Sequence, residues 1–349
     1  MTSCQIRKTD RVSANICVVG CGYWGKNLIR NFSTLGHLRA VCDSNTTALQ
    51  VLGEQYPGIR LYSTLDQALA DSEVDAVALA TPAEQHHRMA IAAVTAGKDV
   101  YVEKPLALDA TDGLEMVDAA RGRGAVLMVG HLLRYHPAIL KIQELVAAGI
   151  LGRLDYIYSN RLSMGKIRQE ENALWSFAPH DISVILALVG QMPVQVTATG
   201  GAYLQPNIAD VTVSNLLFDR GTRCHIFVSW LHPYKEQRLV VVGSNQMVVF
   251  EDSRVENKLL LYDKCIEWKN GAMEARKPQG TPVAFSPEEP LRRECEHFID
   301  CVIHRKEPLT TGEEGVQVLQ VLQACQRSLQ MNGEPVQVMA ARRQKVMAL

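Results

Sequence analysis

Long apolar runs are missing from this 349-residue chain: no stretch approaches the ~18 consecutive apolar residues that a membrane-crossing helix needs. An excess of either charge is missing too, since 36 Lys+Arg stand against 37 Asp+Glu, a formal net charge of −1. A general binder of nucleic acid or of anionic membranes needs a basic surplus, so neither is expected as a partner. The segment Met1–Ala14 has no apolar core and no small-residue cleavage pattern, which predicts a chain without a secretory leader. Cysteine occurs nine times, scattered and without a CxxC pair, and Cys17 and Cys42 fall inside apolar runs. That pattern disfavours a disulfide framework and structural zinc, and reads as reduced thiols in a cytoplasmic protein. His86-His87 has no second pair at ligand spacing and no HExxH accompanies it, so no metal is expected. No GxSxG marks a nucleophilic serine, and no internal repeat or low-complexity segment is present.

What remains is an ordinary globular composition, 47% hydrophobic and 21% charged, and a length that predicts two domains at roughly 150 residues each. The first third alternates short apolar runs with helical patterns. Ile16–Val19, Leu38–Cys42, Ile59–Tyr62, Ala76–Ala80, Val100–Val102 and Val126–Val129 read as buried strands. Between them lie helix-length segments such as His87–Ala96, closed by Gly97, and a helix after Pro105 with Asp109 as its N-cap. Such alternation predicts a doubly wound parallel sheet over residues 1–131.

Residues 132–349 read differently. Pro137 opens a helix, Asp155–Leu162 is a strand, and a polar segment to Trp175 leads to a helix expected over about Pro179–Val189. A succession of strands from Val194 to Trp268 then predicts an α+β domain with a large open, mostly antiparallel sheet. A proline-bearing loop, two helices (Pro290–His304 and Glu313–Met331), a short strand at Val336–Met339 and a basic tail complete the chain.

Gly20-Cys21-Gly22-Tyr23-Trp24-Gly25 is a GxGxxG that follows a buried strand and opens a helix. Its first glycine permits a tight turn, its second admits a pyrophosphate, and its third lets helix and strand pack closely. Asp43 ends the next strand, 23 residues after Gly20, where a carboxylate accepts hydrogen bonds from the adenosine ribose hydroxyls and repels a 2′-phosphate. NAD is the expected cofactor, with Ser44 beside Asp43 leaving NADP open.

Three further segments complete a set: Thr81-Pro82-Ala-Glu-Gln-His86, Glu103-Lys104-Pro105, and Trp175-Ser176-Phe-Ala-Pro-His180-Asp181. In this order, behind the glycine turn, they resemble the Gfo/Idh/MocA oxidoreductases over nearly the whole chain. The resemblance implies a Rossmann domain, a second α/β domain on an open sheet that often makes a homodimer or homotetramer, and NAD(P)-dependent chemistry on a carbohydrate hydroxyl. It implies Lys104 and His180 as the groups that handle the hydroxyl proton. It implies cofactor contacts from Gly20 to Gly25, Asp43, Ser44, Thr81, Pro82, His86, Glu103 and Lys104. Where family members often carry aspartate, four residues before the histidine, this chain has Ser176.

Strand-end positions support these roles, because ligands of open α/β sheets bind outside the carboxyl ends of the strands. Desolvation and a cationic nicotinamide would lower the pKa of Lys104 toward working pH. His180 is expected near a helix start, where the dipole favours a neutral imidazole. Asp181 adjoins it, but helix neighbours point in different directions, so it receives no catalytic role. For substrate, Arg134 and Tyr135 match the family segment that leads into the second domain. Arg161, Lys166, Arg168 and Asn172 concentrate donors suited to phosphate or carboxylate. This looks like the branch that oxidises UDP-N-acetylhexosamines or their uronates at C3. Two alternatives stay open: the same chemistry on a free sugar or a cyclitol such as inositol, and a non-catalytic NAD(P)-binding sensor.

Overall fold

The computed structural model describes residues 13–338 apart from 166, 265, 270 and 277. Lys166, most of the amino-terminal segment and the basic tail lie outside the described residues. The chain divides into two compact units.

In the first unit, strands β1 (Ile16–Val19), β2 (Leu38–Cys42), β3 (Arg60–Tyr62), β4 (Ala76–Leu79), β5 (Asp99–Glu103) and β6 (Leu127–Gly130) form one sheet in the order β3-β2-β1-β4-β5-β6. Every pairing is parallel. Strands β1, β4 and β5 are buried along their whole length, which is why they read as unbroken apolar runs. Helices α1 (Gly25–Thr34), α2 (Thr46–Gln55), α3 (Leu65–Ala70), α4 (His86–Thr95) and α5 (Ala110–Arg123) connect them. Asp109 caps α5 as expected, accepting the Thr111 amide at 2.7 Å, and Gly124 ends it in the left-handed conformation. The order reverses at β1, whose neighbours are β2 and β4, so a crevice opens outside the carboxyl ends of these strands.

Glu289–Val316 also belongs to this unit, a return of the chain that the sequence reading assigns to the second domain. After the helices α6 (Pro137–Ala147) and α7 (Ala173–Val189), the helix α8 (Pro290–His304) brings Phe298 edge-on to Phe32 and Tyr101 at centroid distances of 6.4 and 5.7 Å. Arg305 then reaches buried Asp99 at 2.6 and 3.0 Å, and Thr310 exchanges hydrogen bonds with Val129 at 2.9 and 2.7 Å. The first residues of α9 (Gly312–Gln330) follow.

The second unit, Leu133–Glu288 with residues 317–338, holds a nine-stranded sheet. Its strands are β7 (Leu154–Leu162), β8 (Gln195–Gly201), β9 (Val211–Leu217), β10 (Arg223–Ser229), β11 (Glu236–Gly243), β12 (Gln246–Glu251) and β13 (Leu259–Asp263), with short edge pairings at Thr281–Pro282 and Val336–Gln337. All pairings are antiparallel except β7 with β10. A separate hairpin, Ile266–Lys269 with Ala272–Ala275, stands outside it. Side chains alternate along β10: Cys224, Ile226 and Val228 are buried in a core shared with Ile182 and Ile185 of α7, while His225 and Phe227 lie half-buried on the other face.

One helix departs from expectation. α7 begins at Ala173, six residues before the expected Pro179, which sits inside the helix. Asn172 supplies the true start, its side chain accepting the Trp175 amide at 3.1 Å. Proline forfeits one backbone bond there, and the apolar face from Leu174 to Leu188 outweighs that loss.

Candidate active site

In the first unit the glycine turn has the form a dinucleotide requires. Gly20 has φ +92°, and a Cβ on it would stand 2.8 Å from the Ala80 carbonyl, at the end of β4. A Cβ on Gly25 would collide with the Gly20 oxygen, whereas one on Gly22 would meet nothing within 4 Å. Thus two glycines are demanded by packing and the middle one leaves open space where a phosphate approaches the backbone. No side chain caps α1; the Lys26 and Asn27 amides donate instead to the Gly22 and Trp24 carbonyls at 3.2 and 2.9 Å, which fold the glycine turn tightly onto the helix start.

Asp43 lies at the end of β2, and the Cys21 amide donates to its Oδ2 at 2.6 Å. The Asn45 amide donates to Oδ1 at 2.8 Å. Gly20, Gly22, Asp43, Ser44, Thr81 and Pro82 all line one cavity of about 490 Å³. Its wall also includes Ser63 to Asp66, Gln85 and Arg88, which sequence reasoning missed. Ser63 follows β3, so the signal was there: β3 neighbours β2, and its carboxyl end borders the same crevice. Cys21 and Cys42 are buried beside Asp43, and burial pushes their thiols up to about 12 and about 11, so they stay protonated. All seven described cysteines are free and buried.

Two residues expected to face the cofactor do something else. His86 is buried and absent from the cavity wall. Its Nδ1 lies 2.8 Å from the Pro105 carbonyl and its Nε2 2.9 Å from that of Thr81. It ties the loop after β4 to the turn after β5. Burial lowers its pKa, and the two carbonyls pull the other way without overcoming it. Glu103 is also buried. It accepts from the indole of Trp24, inside the glycine turn, and from the Tyr101 hydroxyl at 2.9 Å. Burial is the main cause that raises its carboxyl to about 7. Lys104 follows at the strand end, half-buried, and the Lys104–Pro105 peptide is cis. His87 instead pairs with Glu115 of α5 at 3.0 Å, and these two with Asp112 are the one described trio of ligand-type side chains.

In the second unit, His180 is the eighth residue of α7 rather than near its start. The dipole acts within the first turn, so the expected dipole effect on its imidazole does not apply. Ser176 lies one turn earlier on the same face. The expected cationic cluster is largely spent. Arg161 on β7 is partly buried, and its Nε and Nη2 grip Asp181 of α7 at 2.8 and 3.0 Å. Asp181 also accepts Ser159 Oγ at 2.6 Å. Arg168 pairs with Glu171 at 3.0 Å on the surface. Asn172 caps α7, and its amide nitrogen donates to Gln326 at 2.8 Å. Arg134 and Tyr135 are both buried in a 3-10 turn before α6.

Residues 14–131 match the family described as "Oxidoreductase family, NAD-binding Rossmann fold", and 139–249 match the "GFO/IDH/MocA C-terminal domain". A UDP-N-acetylglucosamine 3-dehydrogenase of Acidithiobacillus ferrooxidans is 29% identical over 307 residues, 86% of this chain and 93% of that protein. An uncharacterised oxidoreductase of Streptococcus pneumoniae is 31% identical over 193 residues, so the match spans about half of either chain (53% and 52%). The solved structure of the WlbA dehydrogenase of Bordetella pertussis, in complex with NADH and UDP-GlcNAcA, superposes with a TM-score of 0.78 at 25% identity. That superposition covers 94% of this chain and 100% of the other.

Proposed function

The chain belongs to the Gfo/Idh/MocA family of NAD-binding oxidoreductases, and from that premise we propose that it oxidises a ring hydroxyl of a nucleotide sugar, C3 of a UDP-N-acetylhexosamine or of its uronate. The observation that carries this reading is the likeness to a UDP-N-acetylglucosamine 3-dehydrogenase along 86% of the chain and 93% of that protein.

The residues around the glycine turn fit a dinucleotide. Gly20, Gly22 and the backbone of the glycine turn that leads into α1 would hold the pyrophosphate, and Asp43 the adenosine ribose. Thr81 and Pro82 would border the path toward the nicotinamide from the end of β4. When bound, the dinucleotide supplies the hydride acceptor. Lys104 hydrogen-bonds the substrate hydroxyl and stabilises the developing alkoxide, and His180 relays the released proton. Ser176 cannot serve as a carboxylate base, so the proton falls to these two groups and water. Substrate anions meet Arg168, whose ion pair with Glu171 is one partly exposed contact. The open face of the nine-stranded sheet, with Tyr156, Tyr158, His225 and Phe227 half-buried on it, is the surface we assign to self-association.

A second reading, oxidation of a free sugar or cyclitol, draws support from Arg161, whose commitment to Asp181 removes a charge that a nucleotide diphosphate would use. The test is NAD+ and NADP+ reduction with UDP-N-acetylglucosamine, its uronate, and free sugars including inositol. Turnover with the UDP sugars is expected, and turnover with free polyols alone would overturn the reading. Lys104→Ala is expected to abolish turnover while NADH still binds. Tight NADH binding without turnover on any substrate would instead indicate a sensor.

A further inference from the structure

At one end of the nine-stranded sheet three connections meet: 163–172 between β7 and α7, 202–210 between β8 and β9, and the turn that follows β10. The register puts them together, since Leu162 pairs with Ser229, and Ser229 and Gly201 both pair with Val211. Buried Asp210 is the hub of this end. Its Oδ2 accepts the amides of Tyr203 and Leu204 at 2.6 and 2.8 Å, and its Oδ1 accepts the Trp230 indole at 2.5 Å. A carboxylate bonded to two successive amides and to a core side chain fixes the backbone of that turn.

The side chain that this fixed turn presents is not a core one. Tyr203 is 73% exposed. The hydroxyl end of its ring lies over Gly201, where a Cβ would stand 2.6 to 2.7 Å from it. Glycine thus gives the ring a seat and leaves most of its surface to solvent. An aromatic ring held in this way has little freedom left to lose when a planar group stacks on it.

The same connection is clamped to the segment that carries Arg168. Gln205 Nε2 donates to the Arg168 carbonyl at 3.0 Å, and the Ala173 amide donates to the Ala209 carbonyl at 2.9 Å. His180 then follows about 10 Å along the axis of α7 from its first residue, Ala173. The second unit therefore offers, in order, a proton-handling imidazole, a guanidinium and an aromatic ring. A nucleotide sugar has the matching order of oxidised ring, diphosphate and base. A free polyol carries neither an anion for Arg168 nor a planar base for Tyr203.

We propose that Tyr203 is the platform on which the base of the nucleotide stacks, and that with Arg168 it sets the preference for a nucleotide sugar over a free one. This deepens the nucleotide-sugar reading above and rests on it. Stacking uses the π face that every base has, so the platform selects for the presence of a base more than for its identity.

The experiment titrates the full-length chain with UDP and with inorganic pyrophosphate by calorimetry, in the wild type, Tyr203→Ala, Tyr203→Phe and Gly201→Ala. Tyr203→Ala is expected to weaken UDP about tenfold, the scale of one base–aromatic stack, and to leave pyrophosphate as it was. Tyr203→Phe keeps the ring and is expected to bind UDP as the wild type does. Gly201→Ala keeps the tyrosine but displaces its ring, and is expected to weaken UDP without unfolding the chain, because the obstructing atoms are the movable end of a side chain. Melting temperatures without ligand check that all four proteins are folded. Equal UDP affinity in wild type and Tyr203→Ala would overturn the platform and leave the nucleotide-sugar reading standing. Equal losses of UDP and pyrophosphate would also overturn it, because the damage would then lie in the anion contact. Dissociation of an oligomer in Tyr203→Ala with UDP affinity intact would give the ring to a second copy of this chain instead. Failure of the wild type to bind UDP would overturn the nucleotide-sugar reading and the platform with it.

Discussion

The backbone amide of Cys21 donates to Oδ2 of Asp43 at 2.6 Å, so the glycine turn on one strand holds the carboxylate at the end of the next. A ribose hydroxyl therefore meets an acceptor already oriented, with no side-chain freedom left to lose on binding. Asp43→Ala is expected to raise the Kd for NAD by about 1–3 kcal/mol, the value of a charged hydrogen bond, and to narrow the preference over NADP. Titration of the purified protein with NADH and NADPH checks this. An unchanged NADH to NADPH ratio would sink the ribose-reading role.

His86 spans the Pro105 and Thr81 carbonyls at 2.8 and 2.9 Å, and burial lowers its pKa. In the neutral ring one nitrogen carries the proton and bonds one carbonyl. Because the folded-state pKa lies below the unfolded value of about 6.5, its contribution to stability is present above that pH and lost as pH falls through it. His86→Asn is expected to destabilise the protein by about 1–3 kcal/mol at pH 7.5 and to flatten the decline in melting temperature between pH 7 and 5. Equal slopes for the two proteins would place the acid sensitivity elsewhere.

Arg161 and Asp181 form a bidentate pair in which the Asp181 side chain is only 3% exposed and that of Arg161 14%. Removing the cation leaves an uncompensated buried carboxylate, so Arg161→Ala is expected to cost about 3 kcal/mol or more in chemical denaturation. Arg161→Met combined with Asp181→Leu should recover most of that loss, because the charge is removed with its partner. Were Arg161 instead the phosphate ligand, Arg161→Ala would raise KM for a nucleotide sugar and leave stability as it was.

How far the sequence revealed this depended on the range of the interactions concerned. The parallel sheet, the glycine turn, Asp43 and the Asp109 cap were legible because each is a local pattern: an unbroken apolar run, a φ only glycine adopts, a side chain two residues from the amide it caps. The start of α7 was misjudged because Pro179 is a strong local signal for a first helical residue, and Asn172 outranked it. Arg161 read as a free cation because its partner lies 20 residues away on another element. The return of α8 to the first unit, and with it the packing of Phe298 on Tyr101, depends on contacts nearly 200 residues apart, which no periodicity encodes.

With Arg161 internally neutralised, Arg168 is the described cation left in the segment that joins β7 to α7. Its ion pair with Glu171 is one contact at i, i+3 spacing between partly exposed side chains, worth about 0–1 kcal/mol. A diphosphate or uronate offers the guanidinium a bidentate partner of higher charge, and exchange of Glu171 for that anion costs little. Arg168→Ala is accordingly expected to raise KM for the UDP sugar about tenfold, leave kcat and melting temperature near the wild type, and leave NADH affinity alone. Salt should weaken binding of the UDP sugar in the wild type and less so in the variant, since the lost contact is the screened one. Equal KM values and equal salt slopes would remove Arg168 from the substrate site, and with it the last argument from charge for a nucleotide sugar over a neutral polyol.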